Sequence, residues 1–249
     1  MSAGFTALVL AGSRGGVDPV AAYAGVAHKA LIPVGGVPMV ARVIQALREA
    51  GAGRIAVSTD APEVIAIVEA AGAEPIAPAA QPSASVAAAL AALGTPLLVT
   101  TADHALLRPE WVRHFLADVP AEADVAILLA ERALVEAAAP GTRRTWYRFA
   151  DGAWSGCNLF HLATPRAAAA LALWQRVETH RKRPWRLAGM IGLGTLLRYA
   201  LGRLTIAAAV ARIGASVGIR AAMVPSRHGL AALDVDKPAD LDLARALDP

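Results

Sequence analysis

A run of apolar residues at 7–11 stops at Gly12 and opens into Ser13, Arg14, Gly15 and Gly16, and a second apolar stretch follows only after His28 and Lys29. No other stretch constrains the fold so tightly. An uncharged run of that length, closed by glycine, reads as a buried strand. A glycine turn behind such a strand lets backbone N–H groups approach an anion, because glycine has no Cβ to stand in the way. Arg14 and Lys29 bring positive charge to the same turn. Together these features read as a site for the phosphates of a nucleoside triphosphate. Taken alone, the turn would equally suit an ordinary strand-to-helix connection, so the decision rests on segments later in the chain.

The spacing excludes two commoner phosphate loops. A P-loop needs lysine directly after its last glycine and then serine or threonine, and Lys29 has neither neighbour. A dinucleotide fingerprint needs G-x-G-x-x-G leading straight into a helix, and Gly12-Ser13-Arg14 breaks it at the second glycine.

From the first strand to about residue 130 the chain alternates strand and helix. Residues 38–51 place Val40, Val43, Ile44 and Leu47 at helical spacing and end at Gly51. Helices are also expected at 62–71, 83–93 and 109–116, with strands at 55–58, 75–76, 97–100 and 125–129. Such alternation predicts a mostly parallel sheet covered on both faces, with ligands at the carboxyl ends of the strands. Gly12, Ser58 and Asp103 all follow apolar strands and are expected to face one crevice. Beyond residue 140 the pattern predicts strands at 144–149 and 153–160 joined through Asp151-Gly152, then helices at 165–181, 185–202 and 204–213. A short strand at 221–225 and a helix at 238–247 complete the reading.

Composition narrows the class. The chain of 249 residues is 56% hydrophobic but only 5% aromatic, and its mean hydropathy of +0.46 comes largely from alanine. The longest suspicious apolar stretch, 187–197, lies between Arg186 and Arg198 and is too short to span a bilayer. The amino terminus has no basic region before its first strand, so no signal peptide is expected. The single Cys157 excludes an internal disulfide and a cysteine-based zinc site, which suits a cytoplasmic protein. Net charge is +4, yet no aromatic-studded nucleic-acid motif accompanies the basic clusters, so no nucleic-acid partner is expected.

The residues Leu10-Ala11-Gly12, Arg14, Gly15, Lys29 and Gly36-Val37-Pro38-Met39 resemble the opening signature of MobA-like NTP transferases. That family of nucleotidyltransferases with a GT-A-like fold takes in molybdenum cofactor guanylyltransferase and sugar-1-phosphate nucleotidyltransferases. Ser13 departs from the usual second glycine, and the gap before Lys29 is long, which implies a loop that folds outward or closes as a lid. The resemblance implies a three-layer α/β/α Rossmann-like domain over 1–249, mostly parallel, with a helical and hairpin insertion at 140–215 on the acceptor side. It also implies transfer of a nucleoside monophosphate from a triphosphate to a phosphorylated acceptor, with release of pyrophosphate.

The same resemblance assigns roles. Arg14 and Lys29 stabilise the transferring phosphates, while Leu10, Ala11, Gly12, Ser13 and Gly15 form the nucleotide loop. Ser83 and Ser85, in Gln81-Pro82-Ser83-Ala84-Ser85-Val86, match a segment that contacts base and ribose, although both serve equally as helix caps. Asp103, directly after a buried strand, and Asp236, in Leu233-Asp234-Val235-Asp236-Lys237-Pro238, match the two carboxylates that hold Mg²⁺. Gly156 and Asn158 match the strand beside the acceptor. His104 and Lys237 depart from the family pattern.

Two other readings share these residues. Glycosyltransferases with nucleotide-sugar donors use the same fold, but their metal carboxylates sit in a D-x-D, whereas Thr101-Ala102-Asp103 offers one acid. A nucleotide-binding or membrane-surface protein without activity would also retain the loop. The basic and apolar segment 181–203 suits peripheral contact with the inner membrane face, a packed helix or a homodimer seam, and a lipid-linked acceptor would accompany the first of these.

Overall fold

The computed structural model of the protein describes residues 4–13, 15–180 and 192–248. Its sheet begins with β1 (Phe5–Leu10), whose consecutive residues split between two cores. Ala7 and Val9 point into one and Leu8 into the other, all fully buried. A period-two strand without charge, covered on both faces, requires this arrangement.

Parallel strands flank β1: β4 (Ala52–Ser58) on one side and β6 (Leu97–Thr101) on the other. β5 (Glu74–Ile76) extends the β4 side. Beyond β6 come β9 (Gly152–Leu162), β7 (Val125–Glu131) and β10 (Ala221–Pro225), giving the order β10-β7-β9-β6-β1-β4-β5. β9 is antiparallel to both of its neighbours, and β10 is parallel to β7. A short strand, β8 (Tyr147–Phe149), forms the expected hairpin with the start of β9, and β2 (Pro33–Val34) pairs with β3 (Val37–Pro38) in a separate ribbon. The sheet is therefore mostly parallel, as the alternation predicted. The 140–215 stretch, expected as an insertion, contributes its long strand to the middle of the sheet.

Helices close both faces. On one, α2 (Met39–Glu49) buries Val40, Val43, Ile44 and Leu47 beside α3 (Pro62–Ala70) and α5 (Pro109–Asp118). On the other, α4 (Pro82–Leu93) packs Val86 and Leu90 with Leu171 of α7 (Ala168–His180). Two short helices were not among the expected elements: α1 (Pro19–Ala24), in the stretch read as a loop, and α6 (Arg132–Ala138), in a stretch given no element. α8 (Leu193–Ala200), α9 (Ile206–Ala215) and α10 (Pro238–Leu247) complete the chain. Of the helix expected at 185–202, only the part from residue 192 lies within the described residues.

Candidate active site

The carboxyl edge of β1, β4 and β6 is stitched by backbone hydrogen bonds that continue past the strands. Ala11 N donates to Ser58 O at 2.9 Å, and Ala102 N donates to Leu10 O at 2.9 Å. These contacts fix where the loop after β1 and the carboxylate after β6 begin. The loop itself is open. Gly12, Ser13, Gly15 and Gly16 are exposed, and Arg14 lies outside the described residues. Gly15 and Gly16 have φ of +78° and +80°, the left-handed region that a side chain resists, and no atom lies within 4 Å of a Cβ built on either. At Gly12 the Pro78 side chain comes within 3.7 Å of the same position, so among the described residues the turn is open at Gly15 and Gly16 and bounded at Gly12.

The long gap before Lys29 is in part helical. Asp18 accepts from Val20 N and Ala21 N at 2.9 and 3.0 Å and starts α1, whose Val20 and Ala21 are buried. Gly25, at φ 69°, ends that helix in the left-handed conformation. A 3-10 turn at Lys29–Leu31 follows, in which His28 Nδ1 accepts from Ala30 N at 3.1 Å. Burial of Ala30 and Ile32 anchors the turn and leaves Lys29 reaching into the crevice.

Lys29 Nζ lies 2.6 Å from Asp103 Oδ2 and 2.9 Å from Asp236 Oδ1. Burial works against the ammonium, but both carboxylates outweigh it and hold its pKa above the ordinary lysine value. Asp103 is set by the end of β6 and by Thr101, whose hydroxyl donates to Asp103 Oδ1. Asp236 is brought in by its loop, since Val235 N donates to Asp103 O at 3.0 Å. Asp240 then accepts from Asp236 N and Lys237 N and caps the start of α10. Tyr23 of α1 bonds Asp242 of α10 at 3.1 Å, so the segment that presents Lys29 also touches the helix behind Asp236.

The other predicted residues fall in two places. Asn158, on β9, has a left-handed φ of 48° and donates from Nδ2 to Asp234 Oδ2 at 2.7 Å. Asp234 is ion-paired with Arg144. Burial raises the Asp234 pKa; Arg144 opposes this, and Asp236 and Asp103 add to it. Arg144 and Asp234 carried no role in the sequence reading, and the left-handed asparagine beside Gly156 is visible only in the backbone. Ser83 and Ser85 lie elsewhere, at the start of α4, and both are buried. Ser83 Oγ bonds Glu178 of α7, and Ser85 Oγ accepts from Ala79 N at 2.8 Å. Cys157 is buried, and burial pushes its thiol far above the ordinary range, so it packs rather than attacks. His104 is buried behind Asp103, and burial lowers its pKa to about 4.

Among the described residues no group of three or more His, Cys, Asp or Glu side chains is gathered for a metal. Two carboxylates do converge on one cation, the Lys29 ammonium. Mg²⁺ is commonly held by one or two carboxylates together with phosphate oxygens and water, so this donor set fits it.

An open glycine turn after β1 and a lysine between two carboxylates thus share one edge of a mostly parallel α/β sheet. Residues 7–186 match the family model described as the MobA-like NTP transferase domain, and the chain belongs to that family. A hypothetical transferase from Thermus thermophilus superposes with a TM-score of 0.83 at 33% identity, covering 96% of this chain and 100% of that one. The fold is shared with CMP:2-keto-3-deoxy-manno-octonic acid synthetase complexed with CTP, at TM-score 0.58 and 20% identity over 98% of each chain. In sequence, 112 residues are 39% identical to 3-deoxy-manno-octulosonate cytidylyltransferase of Nitrobacter hamburgensis, covering 41% of this chain and 43% of that protein. The match thus takes in less than half the length of that relative.

Proposed function

We propose that the protein is a Mg²⁺-dependent nucleotidyltransferase that moves a nucleoside monophosphate from a triphosphate to a phosphorylated acceptor. The observation that carries this reading is the Lys29 ammonium between Asp103 and Asp236 at the open end of β1 and β6. The similarity to a cytidylyltransferase makes CTP the first donor to try.

The glycine turn at 12–16 offers its N–H groups to the polyphosphate, and Lys29 places a point charge beside the α-phosphate. Asp103 and Asp236 would hold Mg²⁺, and the metal would supply positive charge to the phosphates and to departing pyrophosphate. An ionised oxygen of the acceptor phosphate attacks the α-phosphorus in line as the bond to the bridging β-phosphate oxygen breaks, and pyrophosphate leaves with that electron pair. No proton needs to move in this step. Asn158, held by Asp234 and Arg144, orients the acceptor on the β9 side of the crevice. Ser83 and Ser85 act indirectly in this account, by fixing the loop that leads into α4.

The test is pyrophosphate release with each of the four nucleoside triphosphates, Mg²⁺, and a pool of phosphosugars and phosphoalcohols. Release with CTP that is abolished by Lys29→Ala is the expected result. Silence with every triphosphate, or release indifferent to that substitution, would defeat the reading. Binding can be followed separately, because a triphosphate that binds the native state raises the thermal midpoint.

A further inference from the structure

Lys29 holds the same two carboxylates that the transfer reading gives to the metal. Its Nζ lies 2.6 Å from Asp103 Oδ2 and 2.9 Å from Asp236 Oδ1, so one oxygen of each acid already accepts from it. Asp103 Oδ1 is taken as well, because the Thr101 hydroxyl donates to it. The ammonium is an occupant of the pair, not a neighbour. A second cation on those oxygens would stand well inside the roughly 8 Å over which salt screens charge at physiological ionic strength, so the two would repel.

The surroundings offer a divalent ion no second pair of acids. Among the described residues no cluster of three or more His, Cys, Asp or Glu side chains is gathered. Asp234, two residues before Asp236, is ion-paired with Arg144 and accepts from Asn158 Nδ2 at 2.7 Å. Metal therefore needs Lys29 to withdraw, and Lys29 can do so without disturbing the fold. Its backbone is pinned by buried Ala30 and Ile32 and by His28 Nδ1, which accepts from Ala30 N at 3.1 Å. From that fixed backbone a flexible four-carbon stem lets the ammonium swing. A purely structural bridge would make poor use of Asp236, whose side chain is 59% exposed, since exposed pairs add little to stability.

We propose that Lys29 is an internal counter-ion that bars divalent metal from Asp103 and Asp236 until a triphosphate draws its ammonium away. Nucleotide and metal then bind as one coupled event. The phosphates give Lys29 new acceptor oxygens, and the carboxylates it leaves are free for the ion. By linkage the coupling runs both ways, so each ligand tightens the other. The proposal rests on the two acids being the metal pair, and adds that the nucleotide-free protein refuses the metal they would otherwise bind.

The test uses the full chain with Mn²⁺ as the probe, because Mn²⁺ takes the same oxygen ligands as Mg²⁺ and its unbound ion is counted by electron paramagnetic resonance. No nucleotide is present in this measurement, so the outcome does not depend on turnover. Lys29→Met is expected to bind Mn²⁺ about tenfold more tightly than the parent chain, or better. Adding Asp236→Asn to Lys29→Met should abolish the gain. Lys29→Gln, neutral but polar, should reproduce it, with far-UV circular dichroism confirming that each variant folds. In EDTA, CTP should raise the thermal midpoint further in Asp236→Asn than in Asp242→Asn, which removes an equal charge that is not paired with Lys29. Equal Mn²⁺ affinity in the parent and Lys29→Met, a gain confined to the methionine variant, a gain that survives Asp236→Asn, or equal CTP shifts in the two aspartate variants would each overturn the proposal. Pyrophosphate release measures the transfer reading separately. A parent chain that turns over CTP yet binds Mn²⁺ as tightly as Lys29→Met would sink this proposal alone.

Discussion

Lys29 Nζ and Asp103 Oδ2 stand 2.6 Å apart although 74 residues separate them in the chain. One arrives on a 3-10 turn pinned by buried Ala30 and Ile32, the other directly from β6. Neither depends on the other for its backbone position, so the ion pair reports the geometry of the sheet edge rather than creating it.

Lys29→Ala is therefore expected to leave the fold in place and to lower the transfer rate by about 10²-fold or more, the usual cost of losing a preorganised charge at a phosphoryl centre. Lys29→Arg should recover stability but little of the rate, since a planar guanidinium does not replace a compact ammonium between two carboxylates. Pyrophosphate release and the thermal midpoint, measured side by side, separate the two effects.

Asp236 gives the opposite balance. Its side chain is 59% exposed, so its pairing with Lys29 contributes under about 1 kcal/mol to stability. Asp236→Asn should barely move the melting temperature, yet raise the Mg²⁺ concentration for half-maximal turnover by about tenfold or more. A Mg²⁺ titration of the variant, set beside chelation and re-addition in the parent protein, provides the check.

Buried His104 predicts an acid-sensitive fold. Its pKa is about 4 in the native state against 6.5 ordinarily, with burial as the main cause. On acidification the unfolded chain takes up the proton first. This contribution to stability is intact above pH 6.5 and is lost progressively as the pH falls from 6.5 to about 4. The full loss is about 3 kcal/mol. His104→Phe, which preserves a ring beside Trp111, should flatten that part of a melting-temperature profile against pH.

Asn158 allows its backbone and side-chain roles to be distinguished. At φ 48°, alanine is strained whereas glycine is not. Asn158→Ala is expected to destabilise by about 1–2 kcal/mol, and Asn158→Gly by less. Both variants should raise the acceptor KM with little change in that of the triphosphate. Denaturant midpoints and two-substrate kinetics test this prediction.

Much of this architecture was legible because its signals are local. The apolar runs that became β1, β6 and β7, the helical spacing of Val40, Val43, Ile44 and Leu47, and the Asp151-Gly152 turn each carry their own structural information. α1 escaped because six residues, a proline and five more of which three are alanine, carry no periodicity, and what makes them a helix is the Asp18 cap and contact with α10. The place of β9 was equally hidden. A hairpin strand at the rim and a strand in mid-sheet have the same alternation, and only pairing with β6 and β7 distinguishes them. Arg144 and Asp234 were overlooked because a part-buried ion pair spanning 90 residues leaves no mark on local pattern.

Among the described residues the antiparallel β9 is the one strand between β6 and β7, and it ends at Leu162. Until that residue has left the ribosome, β7 has neither of its sheet partners complete, because β9 is unfinished and β10 lies later still in the chain. Residues 4–131 can form their local helices and the β5-to-β6 half early, but closure must wait for a late strand inserted from the opposite direction. Edges that stay open for so long invite pairing with other chains, which makes the stretch of synthesis before β9 emerges the one in which this protein is most exposed to misassembly.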